Sequence, residues 1–174
     1  MPQLPHRLPL IVVSIYLIMM KSPIVKVHAA AATLALLLII SFFTGTLISE
    51  LFGSQEQITA IKNAVFYGIW LLIPAMAITG ATGAKLAGKA KKGLIGNKMK
   101  RMPFIAMNGL LILIPAAIYL RSLALAGDFS SMFYSVQIVE LIAGAINITL
   151  MTLNFRDGMK VSKLKQTRQV YEKL

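Results

Sequence analysis

The chain has 174 residues, 57% of them hydrophobic and 14% charged, and a mean hydropathy of +0.74. Soluble domains carry about 25% charged residues, so this balance excludes an ordinary soluble enzyme, a disordered chain and a coiled coil. Eighteen Lys and Arg against six Asp and Glu leave a net charge of +12, and no Cys is present for disulfides, iron–sulfur clusters or thiolate zinc sites.

Residues 1–20 read as an N-terminal extension or interfacial segment. Arg7 followed by an apolar run over 8–20 resembles the start of a signal peptide, yet the run is too short to span and no small-x-small cleavage site follows. Met20-Lys21-Ser22 also reads as a natural start, which would make the preceding residues a translation extension.

A spanning helix needs about 20 mostly apolar residues, and four stretches meet this: 24–48, 64–86, 103–126 and 132–155. The expected fold is therefore all-α, a four-helix membrane bundle running up-down-up-down, with a transmembrane domain over 21–159 and a basic tail over 160–174.

His28 lies near the start of the first span, on a face with Ala31, Ala32 and Ala35. Four-helix b-type cytochromes hold haem with two axial ligands, but the other histidine, His6, falls in the extension. Haem b would need Met76, Met107, Met151 or a second copy's His28. Quinone is the related alternative. The plainer reading is a neutral His bonded to Asn108 or Asn147, and no cofactor and no metal site is expected.

The first link, 49–63, carries Glu50, Glu56 and Lys62. The second span and the third share a phrase around Pro74 and Pro115, each proline near mid-span and able to kink its helix. Between them, Gly83-Ala84-Lys85-Leu86-Ala87-Gly88-Lys89-Ala90 approaches a phosphate loop, but Ala90 stands where Mg²⁺ needs Ser or Thr, and the phrase leaves a membrane helix rather than a strand. A basic turn is the better reading. Lys85, Lys89, Lys91, Lys92, Lys98, Lys100 and Arg101 crowd this link, and Arg156, Lys160, Lys163, Lys165, Arg168 and Lys173 crowd the tail. No aromatic residues interleave them, so nucleic acid is not expected. Anionic headgroups are, at about 1 kcal/mol for each Lys or Arg. Basic residues stay on the cytoplasmic side, which puts both termini inside. A second copy or another membrane protein is the natural packing partner.

The fourth span carries Gln137, Glu140, Asn147 and Asn154, with Gly144 and Met151 between them. Steps of three and four keep these on one stripe about 100° wide. Polar residues at depth are costly and face a bundle interior or a cavity, so the stripe is either a helix–helix seam or a face for a ligand or ion. Glu140 lies about two turns inside its helix and Arg121 about one turn inside the preceding helix, which predicts an Arg121–Glu140 ion pair. The alternative is a carboxyl that handles protons or cations.

Val65-Phe66-Tyr67-Gly68-Ile69-Trp70-Leu71-Leu72-Ile73-Pro74 and the run from Phe133 to Asp157-Gly158 resemble an uncharacterised group of small four-span bacterial inner-membrane proteins. The resemblance implies the fold and a bacterial cytoplasmic (inner) membrane location, and no activity. The functional expectation is a non-enzymatic accessory or binding subunit. The alternatives are a redox subunit using His28 and a small transporter subunit using Glu140.

Overall fold

The computed structural model describes residues 22–88 and 92–171, which are helical with no strand among them. Helix α1 is Pro23–Phe52, α2 is Gln55–Ala87 and α3 is Gly93–Asn108. A π-helical turn, Gly109–Leu113, joins α3 to α4, Ile114–Leu125, and α5 is Ser131–Tyr171. The segments Pro23–Phe52, Gln55–Ala87, Gly93–Leu125 and Ser131–Leu164 are each long and apolar enough to cross a membrane. This is the make-up of an integral membrane protein.

Local chemistry accounts for the boundaries. Pro23 opens α1, where a missing N–H costs nothing. The helix stops at Gly53, whose N–H donates to Ser49 O at 2.9 Å. A Cβ there would lie 2.5 Å from the same oxygen, so a larger residue does not fit. Ser54 and Gln57 then form a capping box, with Gln57 N–H on Ser54 Oγ (3.3 Å) and Ser54 N–H on Gln57 Oε1 (2.9 Å). That box starts α2 at Gln55, about nine residues before the apolar stretch begins. Lys62, expected in a link, thus lies about two turns inside a helix. Similarly, α3 takes in Lys98, Lys100 and Arg101, and α5 runs on through the segment read as a tail. Gly127, at φ +70°, and the Asp128 carboxylate, which accepts from Ser130 N–H at 3.1 Å, shape the turn into α5.

The two mid-span prolines behave differently. Pro74 sits within continuous α2. At Pro115 the missing N–H and the ring would leave Leu111 O without a donor and too close. The wide turn just before it absorbs the misfit, with Ile114 N–H bonding Gly109 O five residues back.

Helix α2 packs on α1 and α4, and α5 touches α1, α3, the π turn and α4. Three apolar clusters follow one another along the bundle. Ile58, Leu120, Ala124 and Phe133 form the first, Val65, Ile69 and Ala117 the second, and Ala35, Ile39, Ala75, Ile105 and Met151 the third. Outward-facing residues are apolar too: Trp70 is 69% exposed and Leu37 58%, whereas Asn147 is 1% exposed. Polar side chains inside and large apolar ones outside invert the arrangement of a water-soluble domain. The extension over 1–20, with His6, and residues 89–91 and 172–174 lie outside the described residues.

Candidate functional site

The 3-4 stripe of α5 faces inward along its length. Gln137, Gly144, Asn147, Met151 and Asn154 are buried, and the Glu140 side chain is 12% exposed. Asp157, one step further along the stripe, is buried as well. Three polar layers hang on this stripe.

At one end Lys62 Nζ reaches Glu140 Oε2 at 2.6 Å, and the lysine side chain is 1% exposed. Gln137 Nε2 donates to the same Oε2 at 3.2 Å. The expected Arg121–Glu140 pair does not form. Arg121 Nε donates instead to Asn63 Oδ1 at 2.7 Å, and its guanidinium lies 4.3 Å from the Phe66 ring centroid. The face of that ring offers the cation an electrostatic partner. The correction follows from where α2 begins, since its first turns bring a nearer cation to Glu140. Glu50, at the end of α1, lies within electrostatic reach of both Lys62 and Glu140.

In the middle, Asn108 Nδ2 donates to Asn147 Oδ1 (2.9 Å) and to Ala143 O (2.8 Å). This ties α3 to α5 immediately before the π turn. At the far end, Arg101 bonds Asp157 Oδ2 at 2.7 Å and Asn154 Oδ1 at 3.4 Å. The basic link and the tail therefore meet through a buried carboxylate.

His28 Nδ1 meets Thr82 Oγ1 at 3.0 Å, so its partner is neither Asn108 nor Asn147. Its ring also packs over Gly83, where an added Cβ would come within 3.2 Å of Cε1. Of the methionines considered beside it, Met107 is exposed and Met151 is packed in an apolar cluster. Among the described residues no three His, Asp or Glu side chains gather as a metal-ligand set.

A cavity of about 410 Å³ runs from the Glu140 layer past Asn147 to Gly80 and Met102. Its walls come from all four spans and include Phe42, Phe43, Ile69 and Leu113, with Glu140 and Asn147 among the few polar members. Two glycines shape it: a Cβ on Gly68 would overlap the Phe42 ring, and one on Gly144 would press Phe43 Cδ2 at 3.2 Å. Gly80 also lines the cavity, and a Cβ there meets nothing nearer than Met102 Cε at 4.0 Å. A partly open cleft of this size, apolar apart from a few placed polar groups, is the usual make-up of a small-molecule site.

Of the residues singled out in the sequence, Gln137, Glu140, Asn147, Asn154 and Asn108 come together in these layers, joined by Lys62, Glu50, Arg101 and Asp157, which were not singled out. The Ser54-Gln55-Glu56-Gln57 capping signature would have located Lys62 inside a helix, and extending the stripe by one step would have reached Asp157. No protein-family model matches the chain, and no curated protein or solved structure matches it either.

Proposed function

We propose that the chain is a non-enzymatic binding subunit of a membrane, whose four spans line a central, partly open site for an apolar or amphipathic small molecule. The observation that carries this reading is the cavity of about 410 Å³ shared by all four spans, with Glu140 and Asn147 in its wall. Native mass spectrometry of the full chain in mild detergent tests the reading. A stoichiometric adduct with an added apolar small molecule is expected, and a chain that takes up none would overturn it.

The spans run up-down-up-down with both termini inside, in a bacterial cytoplasmic membrane. The support is the crowding of Lys and Arg at 85–101 and after residue 155, against sparse charge at the links near 53 and 128. The same basic residues contact anionic headgroups. Reporter fusions after Ser54 and Ser130 should read outside, and fusions after Lys92 and Lys173 inside. A cytoplasmic signal at Ser54 would break this threading.

One observation favours a second reading, a small transporter subunit: Glu140, the carboxyl singled out at depth, is itself part of the cavity wall. Guest-dependent proton or cation flux in vesicles would distinguish transport from binding alone.

A further inference from the structure

The polar layer at one end of the cavity contains more acceptors and more negative charge than its own residues use. Both bonds made by Glu140 land on Oε2, from Lys62 Nζ and Gln137 Nε2, so Oε1 accepts neither. Gln137 is 3% exposed, and its Oε1 is buried without a hydrogen-bond partner. Glu50 Oε1 is likewise buried without one. Buried acceptors left unpaired are costly, each by the full loss of its hydration. Two such oxygens, on Gln137 and Glu50 in the layer that holds Glu140, therefore point to a missing donor.

Charge gives the same answer. Glu50 and Glu140 both act on Lys62, a single ammonium. Arg121 is engaged by Asn63 and the face of Phe66. Two carboxylates on one ammonium leave room for one more positive charge without displacing Lys62. A bare monovalent cation would supply that charge, but it would leave the apolar cavity that Glu140 lines unexplained.

We propose that the guest of the central cavity is a lipophilic amine, bound as its ammonium, with its apolar body among Phe42, Phe43 and Ile69 and its charge against Glu140. The proposal rests on the cavity being a binding site and specifies what that site takes. An ammonium brings three N–H donors, and Glu140, which lines the cavity, keeps Oε1 clear of the bonds from Lys62 and Gln137. Glu140 is the ligand to the charge. Glu50 acts through the field it adds, and Gln137 orients the Glu140 carboxylate through its amide.

Phenylbutylamine and phenylbutanol share one body and differ in the charged end, so their relative affinities isolate the ammonium. Native mass spectrometry of the full chain, titrated with each, should show the amine bound about tenfold tighter or more, the value of a charge-assisted hydrogen bond in a dry site. Glu140→Gln should bring that ratio close to one. Should Glu140→Gln fail to fold because it disturbs Lys62, Glu50→Gln keeps the Lys62–Glu140 pair and should still lower the ratio several-fold. Equal binding of amine and alcohol to the native chain overturns the amine proposal while leaving the binding site intact. A ratio unchanged in Glu50→Gln and in every folded Glu140→Gln preparation overturns it too. Binding of neither compound overturns the cavity reading itself.

Discussion

Lys62→Met should destabilise the protein by about 3–5 kcal/mol, the cost of leaving a buried charge without its partner. The substitution removes the cation bonded to Glu140, which also lies within electrostatic reach of Glu50. Glu140→Gln should cost less, because Lys62 then still has Glu50 within reach. The effects are therefore asymmetric. Removing the lysine harms more than removing its hydrogen-bonded partner, and adding Glu140→Gln to Lys62→Met should recover part of the loss. Arg121→Gln should combine additively with Glu140→Gln, since Arg121 bonds Asn63 and stacks on Phe66. Thermal melts of the single and double variants in detergent give both coupling energies. A Lys62→Met protein as stable as the native one, or a strong Arg121–Glu140 coupling, would contradict this arrangement.

Asn147→Leu should cost about 1–2 kcal/mol, at the upper end of what interhelical hydrogen bonds contribute in membrane bundles. The two side chains have similar size, so the loss is one of bonding rather than of volume. Asn147 is 1% exposed and receives Asn108 Nδ2 at 2.9 Å. Without it Asn108 keeps its bond to Ala143 O but loses the side-chain link that ties the start of the π turn to α5. Asn108→Leu in the same background should then cost less than it does alone, because the shared bond is already gone and only the bond to Ala143 O remains to lose. Two independent, additive losses would show that the amides work separately.

The four spans were legible in the sequence because twenty or so apolar residues between charges have few other uses. The stripe on the fourth span was legible for a similar reason. Polar residues at steps of three and four, set in an apolar helix, have to face inward, and the burial of Gln137, Asn147 and Asn154 agrees with that. The charged layer was harder to read. Apolar windows end at the first charged residue, so Lys62 was assigned to the link and Arg121 was left as the nearest cation to Glu140. Local capping at Ser54 outweighs hydropathy there and carries the helix back to Gln55. Asp157 was hidden in the same way by its neighbour Arg156 and by the basic residues beyond it, although it extends the stripe. The cavity was not legible at all. Its volume depends on how Phe42 and Phe43 pack over Gly68 and Gly144, and on a wide turn that Pro115 makes favourable without specifying.

The central claim is that the space between the four spans is a binding site. The most direct measurement is the melting of the native chain and of Gly80→Leu, each with and without phenylbutanol. Gly80 lines the cavity with open space beside it, and helix preference favours leucine over glycine by about 0.5–1 kcal/mol. The variant should therefore fold and occupy part of the site. Phenylbutanol should stabilise the native chain, by about 2.7 kcal/mol at a hundredfold excess over its Kd, and Gly80→Leu by clearly less. Equal stabilisation of both proteins, or of neither, would contradict the claim.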